Sequence, residues 1–365
     1  MQTFDVLVVG AGFSGATTAR CLAERGMRVL VVDKRHHIGG NCYDAYDAQG
    51  LLIHVYGPHI FHTDSKRVWD FLSRFTSWRL YQHRVKAFVH GRLVSIPVNL
   101  NTLEDLFNLK LSPQGMQEYM RSVAEDIANP ADSEQVVLAR VGRELYEALF
   151  ANYTRKQWGV DPSQLGPEVC ARIPVRYNRD DRYFNDFYQG LPEHGYSRLF
   201  SRMLDHENIS LLLQTDYFQI AGSFSPKLTI YTGEIDRYFN QTLGPLPYRC
   251  LQFDFVSYEQ DSYQDWAVIN YPNDYEFTRI TEYKKLTGQR APATTLSLEY
   301  PGTEGVPCYP MPTPEAGRLA EMYAREAAKE KDVYFLGRLG RYRYINMDAA
   351  VLEALQLAEE IVRRW

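Results

Sequence analysis

No stretch of the 365-residue chain approaches the roughly 18 to 20 consecutive apolar residues that a membrane helix needs, so no span is expected. A basic excess is missing too. Lys plus Arg total 40 against 45 Asp plus Glu, for a net charge of −5. That balance argues against a nucleic-acid partner, because phosphate backbones demand a cationic surface. Cysteine is scarce: five residues, an odd number, with no two in a CxxC. Neither a disulfide framework nor a zinc site is expected, and reduced thiols in a cytoplasm fit better. The N-terminus carries Asp5 where a secretory signal would carry Lys or Arg, so no signal peptide is read. Internal repeats and low-complexity segments are also lacking.

Tyrosine is abundant instead. There are 26, and aromatics reach 13% of the chain. A site that uses both ring faces and hydroxyls would account for some of them. The hydrophobic fraction, 45%, is that of a globular protein. At about 150 residues per domain, the length suggests two to three domains.

Residues 4–9 read as a buried strand. GAGFSG follows, then a helical stretch to about Arg25 and a second strand, Val29 to Asp33. This βαβ opening predicts a parallel sheet. Gly10, Gly12 and Gly15 fit GxGxxG. The first two glycines permit a tight turn and close approach to a pyrophosphate. The third lets helix and strand pack closely, and the helix N-terminus offers its free N–H groups. Asp33, 18 residues after Gly15, stands where an acid accepts ribose hydroxyls. Gly39 and Gly40 then point to the FAD-binding variant of this fold rather than to NAD. Asn346-Met347-Asp348 opens a last helix whose N-terminus suits a reduced flavin's negative edge.

Between these ends, 80–99 looks like a hairpin and 102–150 is helical. Thr102 and Ser133 are the expected caps, and Val137, Val141, Leu145 and Leu149 form a stripe. Residues 160–195 are expected to form a long loop or lid, and 209–310 short strands. Pro314 to Lys331 reads as a helix, Val333 to Leu336 as a strand, and Val351, Leu355, Ala358 and Val362 as the stripe of the last helix. His54, His59 and His62 admit three readings: a zinc site lacking its Cys or acid, satisfied loop histidines, or His59 and His62 flanking the flavin to relay protons.

GAGFSGATTA, DKRHHIGGN, YGPHIFHT, NYTRKQWG, RIPVRY, RYFNDFYQG, YTGEIDRYF, FTRITEY, CYP and GRLGRYRYINMD, in order over nearly the whole chain, together resemble bacterial UDP-galactopyranose mutase. YTxKQWG and HIFHT are far more specific than GxGxxG. The resemblance implies an α/β fold: a discontinuous Rossmann-like FAD-binding parallel sheet with an inserted helical domain and an antiparallel sheet domain. The expected boundaries are 1–80, 191–243 and 313–365 for the FAD domain, 100–165 for the helical domain, 81–99 and 244–312 for the sheet domain, and 166–190 for a mobile loop with a sheet-domain segment.

The resemblance further implies an isomerase that interconverts UDP-galactopyranose and UDP-galactofuranose without net redox change, for cell-surface polysaccharide. Reduced FAD would act as nucleophile through its N5 nitrogen, forming a covalent flavin–galactose adduct, with electrons from an external reductant such as NAD(P)H. A homodimer is also implied. Ser14, Asp33, Lys34, Asn41, His59, Ile60, Arg338, Met347 and Asp348 match FAD contacts, beside Gly10, Gly12, Gly15 and Gly40. Arg172 and Arg279 match the pair that clamps the diphosphate. Trp158 matches the residue on uracil or near the sugar. Tyr153, Thr154, Tyr183, Asn270, Tyr309 and Tyr344 match further substrate positions. His83 sits where some members have Asn, and Asn346 where many have Asp. His62 is a plausible helper in proton relay.

The chemistry is consistent, because guanidinium forks match a diphosphate bidentately and tyrosines add donors without charge. Taken singly, the aromatic residues would be read as packing and the arginines as surface ion pairs. Two rivals remain at this stage: an amine oxidase-like flavin oxidoreductase and a non-catalytic nucleotide-sugar binding protein.

Overall fold

The computed structural model describes residues 4–171 and 173–365. Its frame is a five-stranded sheet in the order Ile209–Leu212, Val29–Val32, Val6–Val9, Leu228–Tyr231, Val333–Phe335, with every pairing parallel. The two VLVV strands are buried throughout, which is why they read as unbroken apolar runs. Helix Phe13–Ala23 packs its alanines with Val351, Ala354 and Ala358 of helix Met347–Arg364. The chain's two ends therefore build one layer. Val362 lies at the margin of that core, and Ile361 takes the buried place.

A second, seven-stranded sheet runs Pro307–Pro310, Tyr248–Tyr258, Thr294–Gly302, Arg279–Glu282, Val268–Asn270, Val85–Val89, Arg92–Ile96. The last two form the expected hairpin. The pair Val268–Asn270 with Val85–Val89 is parallel, because the chain returns there by a long crossover and not by a turn. Trp78–Leu80 belongs elsewhere, in a small sheet with Phe61–Thr63 and Tyr188–Pro192. The segment 160–195, read as a long loop or lid with a sheet segment, thus ends in a strand and also contains a short helix, Glu168–Ala171.

The helical insertion differs from expectation at its caps. Asn99, not Thr102, caps Leu100–Phe107. Its side chain accepts from Asn101 and Thr102 N–H groups, while the Thr102 hydroxyl accepts from Asn99 N–H in return. Asp132, not Ser133, caps Ser133–Leu145, and the Ser133 hydroxyl instead donates to the Gly166 carbonyl. The predicted stripe is buried, but Gly142 breaks the helix with φ 78°. Any Cβ there would stand 2.3 Å from the Val123 carbonyl oxygen. The chain then winds through a π-helical stretch, Tyr146–Ala151, into helix Asn152–Trp158.

Candidate active site

Two cavities lie side by side. The first is a cleft of about 1240 Å³ at the carboxyl ends of the parallel strands. Gly10, Gly12, Ser14, Asp33, Lys34, Gly40, Asn41, His59, Arg338 and Met347 line it, as expected; Asn346, matched to a substrate position, lines it as well. The Asp33 carboxylate anchors the glycine turn by accepting from Ala11 N–H at 2.9 Å and Arg35 N–H at 2.9 Å. Gly12 and Gly40 face each other, and a Cβ on Gly12 would reach within 3.7 Å of the Gly40 Cα. Side chains at that pair would fill the passage. Lys34 pairs with Glu234 at 3.0 Å.

Three expected residues do not line the cleft. Gly15 sits beneath it, where a Cβ would stand 1.9 Å from the Gly10 carbonyl oxygen. Ile60 is buried beside Leu191 and Tyr283. Asp348 accepts from the Thr63 hydroxyl at 3.1 Å. Sequence reasoning missed the opposite wall, Thr215 to Phe218 and Thr232 to Glu234. The last of these fall inside the YTGEIDRYF motif, which offered the signal.

Burial drives His59 down to about 3 and His54 to about 4. Both rings are therefore neutral near pH 7. His54 Nδ1 accepts from His59 N–H, and His59 Nδ1 meets the Gly57 carbonyl. His62 lines neither cavity. It pairs with Asp186 at 3.0 Å and stacks on Phe184, whose other neighbours are His83 and Tyr183.

The second cavity, about 830 Å³, gathers Tyr153, Thr154, Trp158, Tyr183, Asn270, Arg279, Tyr309 and Tyr344. Strand register sets its floor. Asn270 pairs with Arg279, and Arg279 with Glu299, so three adjacent strands place an amide, a guanidinium and a carboxylate in one row. Arg279 Nη2 donates to Tyr153 Oη at 2.5 Å. Its Nε lies 3.2 Å from a Glu299 carboxylate oxygen, close enough for an ion pair but not aligned as a hydrogen bond. Burial opposes the charge on Arg279, but the Glu299 carboxylate and the surrounding phenols outweigh it, and its pKa rises. Burial pushes the Tyr153 phenol up to about 12, so it remains a neutral donor.

Buried Glu299 was not anticipated; its only sequence signal is an acid within an apolar strand. Among the described residues the Asn270 Oδ1 and Gln157 Oε1 atoms are buried without a hydrogen-bond partner, and both residues line this cavity. Unsatisfied buried amides on a cavity wall are what a polar ligand leaves behind. His83 lies behind Tyr183, whose N–H donates to its carbonyl; burial holds its ring down at about 3. Arg172, expected to be the second half of the clamp, lies outside the described residues.

Arg338 joins the two cavities. Its guanidinium donates to the Ile345 and Cys308 carbonyls and lies over the Tyr309 and Tyr344 rings, at 5.0 and 5.3 Å. Trp158 packs edge-on against both tyrosines.

With this geometry in place, comparison with known proteins is decisive. A family model described as UDP-galactopyranose mutase matches residues 148–344, and a model of an NAD(P)-binding Rossmann-like domain matches residues 8–75. A Klebsiella pneumoniae protein named Probable UDP-galactopyranose mutase is 40% identical over 99% of this chain and 96% of its own length. The chain belongs to the UDP-galactopyranose mutase family. An Escherichia coli relative of similar likeness, 37% over 98% of both chains, is named dTDP-fucopyranose mutase. The crystal structure of a reduced UDP-galactopyranose mutase superposes with a TM-score of 0.80 at 16% identity, covering 100% of this chain and 95% of that one. That likeness shows the fold. The family is one of flavin-dependent isomerases, and the glycine-lined cleft belongs to its FAD-binding part.

Proposed function

We propose that this member of the UDP-galactopyranose mutase family interconverts UDP-galactopyranose and UDP-galactofuranose. The observation that carries this reading is a cavity with one half-buried guanidinium, four tyrosines and two amides unpartnered among the described residues, which Arg338 joins to the dinucleotide cleft. Such a lining suits a nucleotide diphosphate attached to a sugar.

The residues divide the work. Gly10, Gly12 and Gly40 leave room for the FAD pyrophosphate, and the N-terminus of helix Phe13–Ala23 supplies its N–H groups. Asp33 faces the ribose hydroxyls. Bound in its reduced form, FAD supplies a nucleophilic nitrogen, with no net redox change over a turnover. Arg279 holds the diphosphate while it is parted from the sugar. Tyr153 accepts from Arg279 and keeps its own proton free for a phosphate oxygen. Arg172 is assigned the other half of the clamp on resemblance alone. Trp158, Tyr309 and Tyr344 wall off water that would compete for the sugar carbon. Asn346, the N-cap of the last helix, adds no charge of its own at that corner. Electrons from a reductant such as NAD(P)H, and a homodimer in the cytoplasm, complete the reading.

The test is to incubate chemically reduced, FAD-loaded protein with UDP-galactofuranose and to separate the nucleotide sugars by chromatography. UDP-galactopyranose should accumulate without stoichiometric use of reductant. No product, or equal conversion by the oxidised protein, would refute the assignment. The Escherichia coli relative favours a second substrate, so dTDP-fucopyranose belongs in a parallel incubation.

A further inference from the structure

The π-helical stretch Tyr146–Ala151 and helix Asn152–Trp158 run along one wall of the second cavity. Successive turns offer it Leu149 and Phe150, then Tyr153 and Thr154, then Gln157 and Trp158. The spacing puts all three pairs on one face. Their chemistry changes in order. The first pair is apolar and stands with Ile96, Val169 and Ile173. The second pair holds the tyrosine that Arg279 grips. In the third pair Trp158 packs edge-on against Tyr309 and Tyr344, the rings on which Arg338 lies at the border of the FAD cleft, and Gln157 lines the cavity beside it in sequence. A nucleotide sugar laid along this wall to match that order would have its base at the first turn, its diphosphate at the second and its sugar at the third, toward the glycine-lined cleft.

Gln157 then acquires a task. Its backbone is pinned: Arg249 donates to the Gln157 carbonyl at 2.9 Å and to the Lys156 carbonyl at 3.0 Å. Gly159 ends the helix at φ 73° directly over the Arg249 guanidinium. The backbone is held, yet the Gln157 Oε1 atom is buried without a hydrogen-bond partner among the described residues. A buried amide oxygen left unpaired forfeits the hydration it had in the unfolded chain with nothing in return. A rigid helix position that keeps one open on a ligand cavity is built to meet a ligand donor. At the third turn the donors on offer are hydroxyl groups of the hexose.

We propose that Gln157 reads a sugar hydroxyl and is a specificity-determining residue of this site. The inference rests on the mutase reading and adds to it the hexose contact.

The test uses FAD-loaded wild type, Gln157→Met, Gln157→Ala and Gln157→Glu. Turnover of UDP-galactofuranose is measured on reduced protein, with UDP as competitive inhibitor. Calorimetry with UDP-galactose and with UDP gives a readout independent of turnover. Both Gln157→Met and Gln157→Ala should raise KM, and weaken UDP-galactose binding, about tenfold, the worth of one hydrogen bond, while the inhibition constant of UDP stays unchanged. Gln157→Glu, which keeps an acceptor oxygen at the same reach, should recover most of the loss. A parallel weakening of UDP would move Gln157 to the nucleotide and overturn the inference, as would unchanged UDP-galactose binding in both truncations. A wild type that binds UDP-galactose but converts nothing counts against the mutase reading and leaves the binding comparison to decide on Gln157.

Discussion

Arg279 and Glu299 occupy directly opposed positions on neighbouring strands, and the acid backs the guanidinium that faces the cavity. The Thr278 hydroxyl donates to the same carboxylate oxygen, at 3.1 Å. The carboxylate thus fixes and charges the arginine without closing its ligand-facing side. A fork held this way is already arranged for a diphosphate.

Replacing Arg279 by Ala should therefore lower kcat/KM about a thousandfold, roughly 4 kcal/mol, because a buried charge partner is removed and Glu299 is left unpaired. The protein should remain yellow. Steady-state kinetics beside the visible flavin spectrum check both halves, and near-normal activity would take Arg279 out of the clamp. Arg172→Ala is expected to behave alike.

Gly12 has φ −84°, so its backbone accepts any side chain. Its Cβ would make only ordinary contact with Gly40. Gly12→Val should accordingly fold, with a near-wild-type far-ultraviolet circular dichroism spectrum, and purify colourless. A variant that retained flavin would show that the cofactor does not pass between these two glycines.

Three histidines, His54, His59 and His83, are held by burial at about 4, 3 and 3. The unfolded chain takes up protons below its histidine pKa, about 6.5, while the folded chain refuses them until far lower pH. Stability is then complete above that value and falls as pH drops below it, by about 4 kcal/mol per pH unit for three groups together. His83→Asn should remove about a third of this slope in urea melts taken between about pH 7 and about pH 5. An unchanged slope would mean that His83 is protonated in the fold.

Lys156 Nζ donates to the Tyr275 and Phe277 carbonyls at 2.8 and 3.1 Å, and to that of Tyr271 as well. One ammonium thus gathers the loop that follows Asn270. Lys156→Met keeps the stem and deletes the donors. Holoenzyme stability should fall by about 2–3 kcal/mol, and KM should rise as Asn270 loses its support. A melting temperature equal to wild type would assign the loop's order to other contacts.

The first βαβ unit was legible because its signals are local. Glycine spacing, two VLVV runs and Asp33 all fall within 28 residues of one another, and each has a direct physical reading. The helix caps were less so. Asn99 and Thr102 are both capping residue types three positions apart, and in a reciprocal pair the sequence alone does not say which stands outside the helix. The row Asn270, Arg279, Glu299 was hidden for another reason. It exists only once three strands settle their register, and no short-range pattern encodes that alignment. Gln157 was overlooked for a similar cause: an orphaned oxygen is a property of its surroundings, not of the residue.

Arg338 spends its donors on the Cys308 and Ile345 main chain while two phenol rings rest against its plane. A single side chain is thereby the shared party wall of both chambers. Whatever occupies the glycine-lined room presses on the same partition that shapes the tyrosine-lined one, so the apoprotein should greet its sugar nucleotide with a slacker, less prepared surface than the loaded enzyme does.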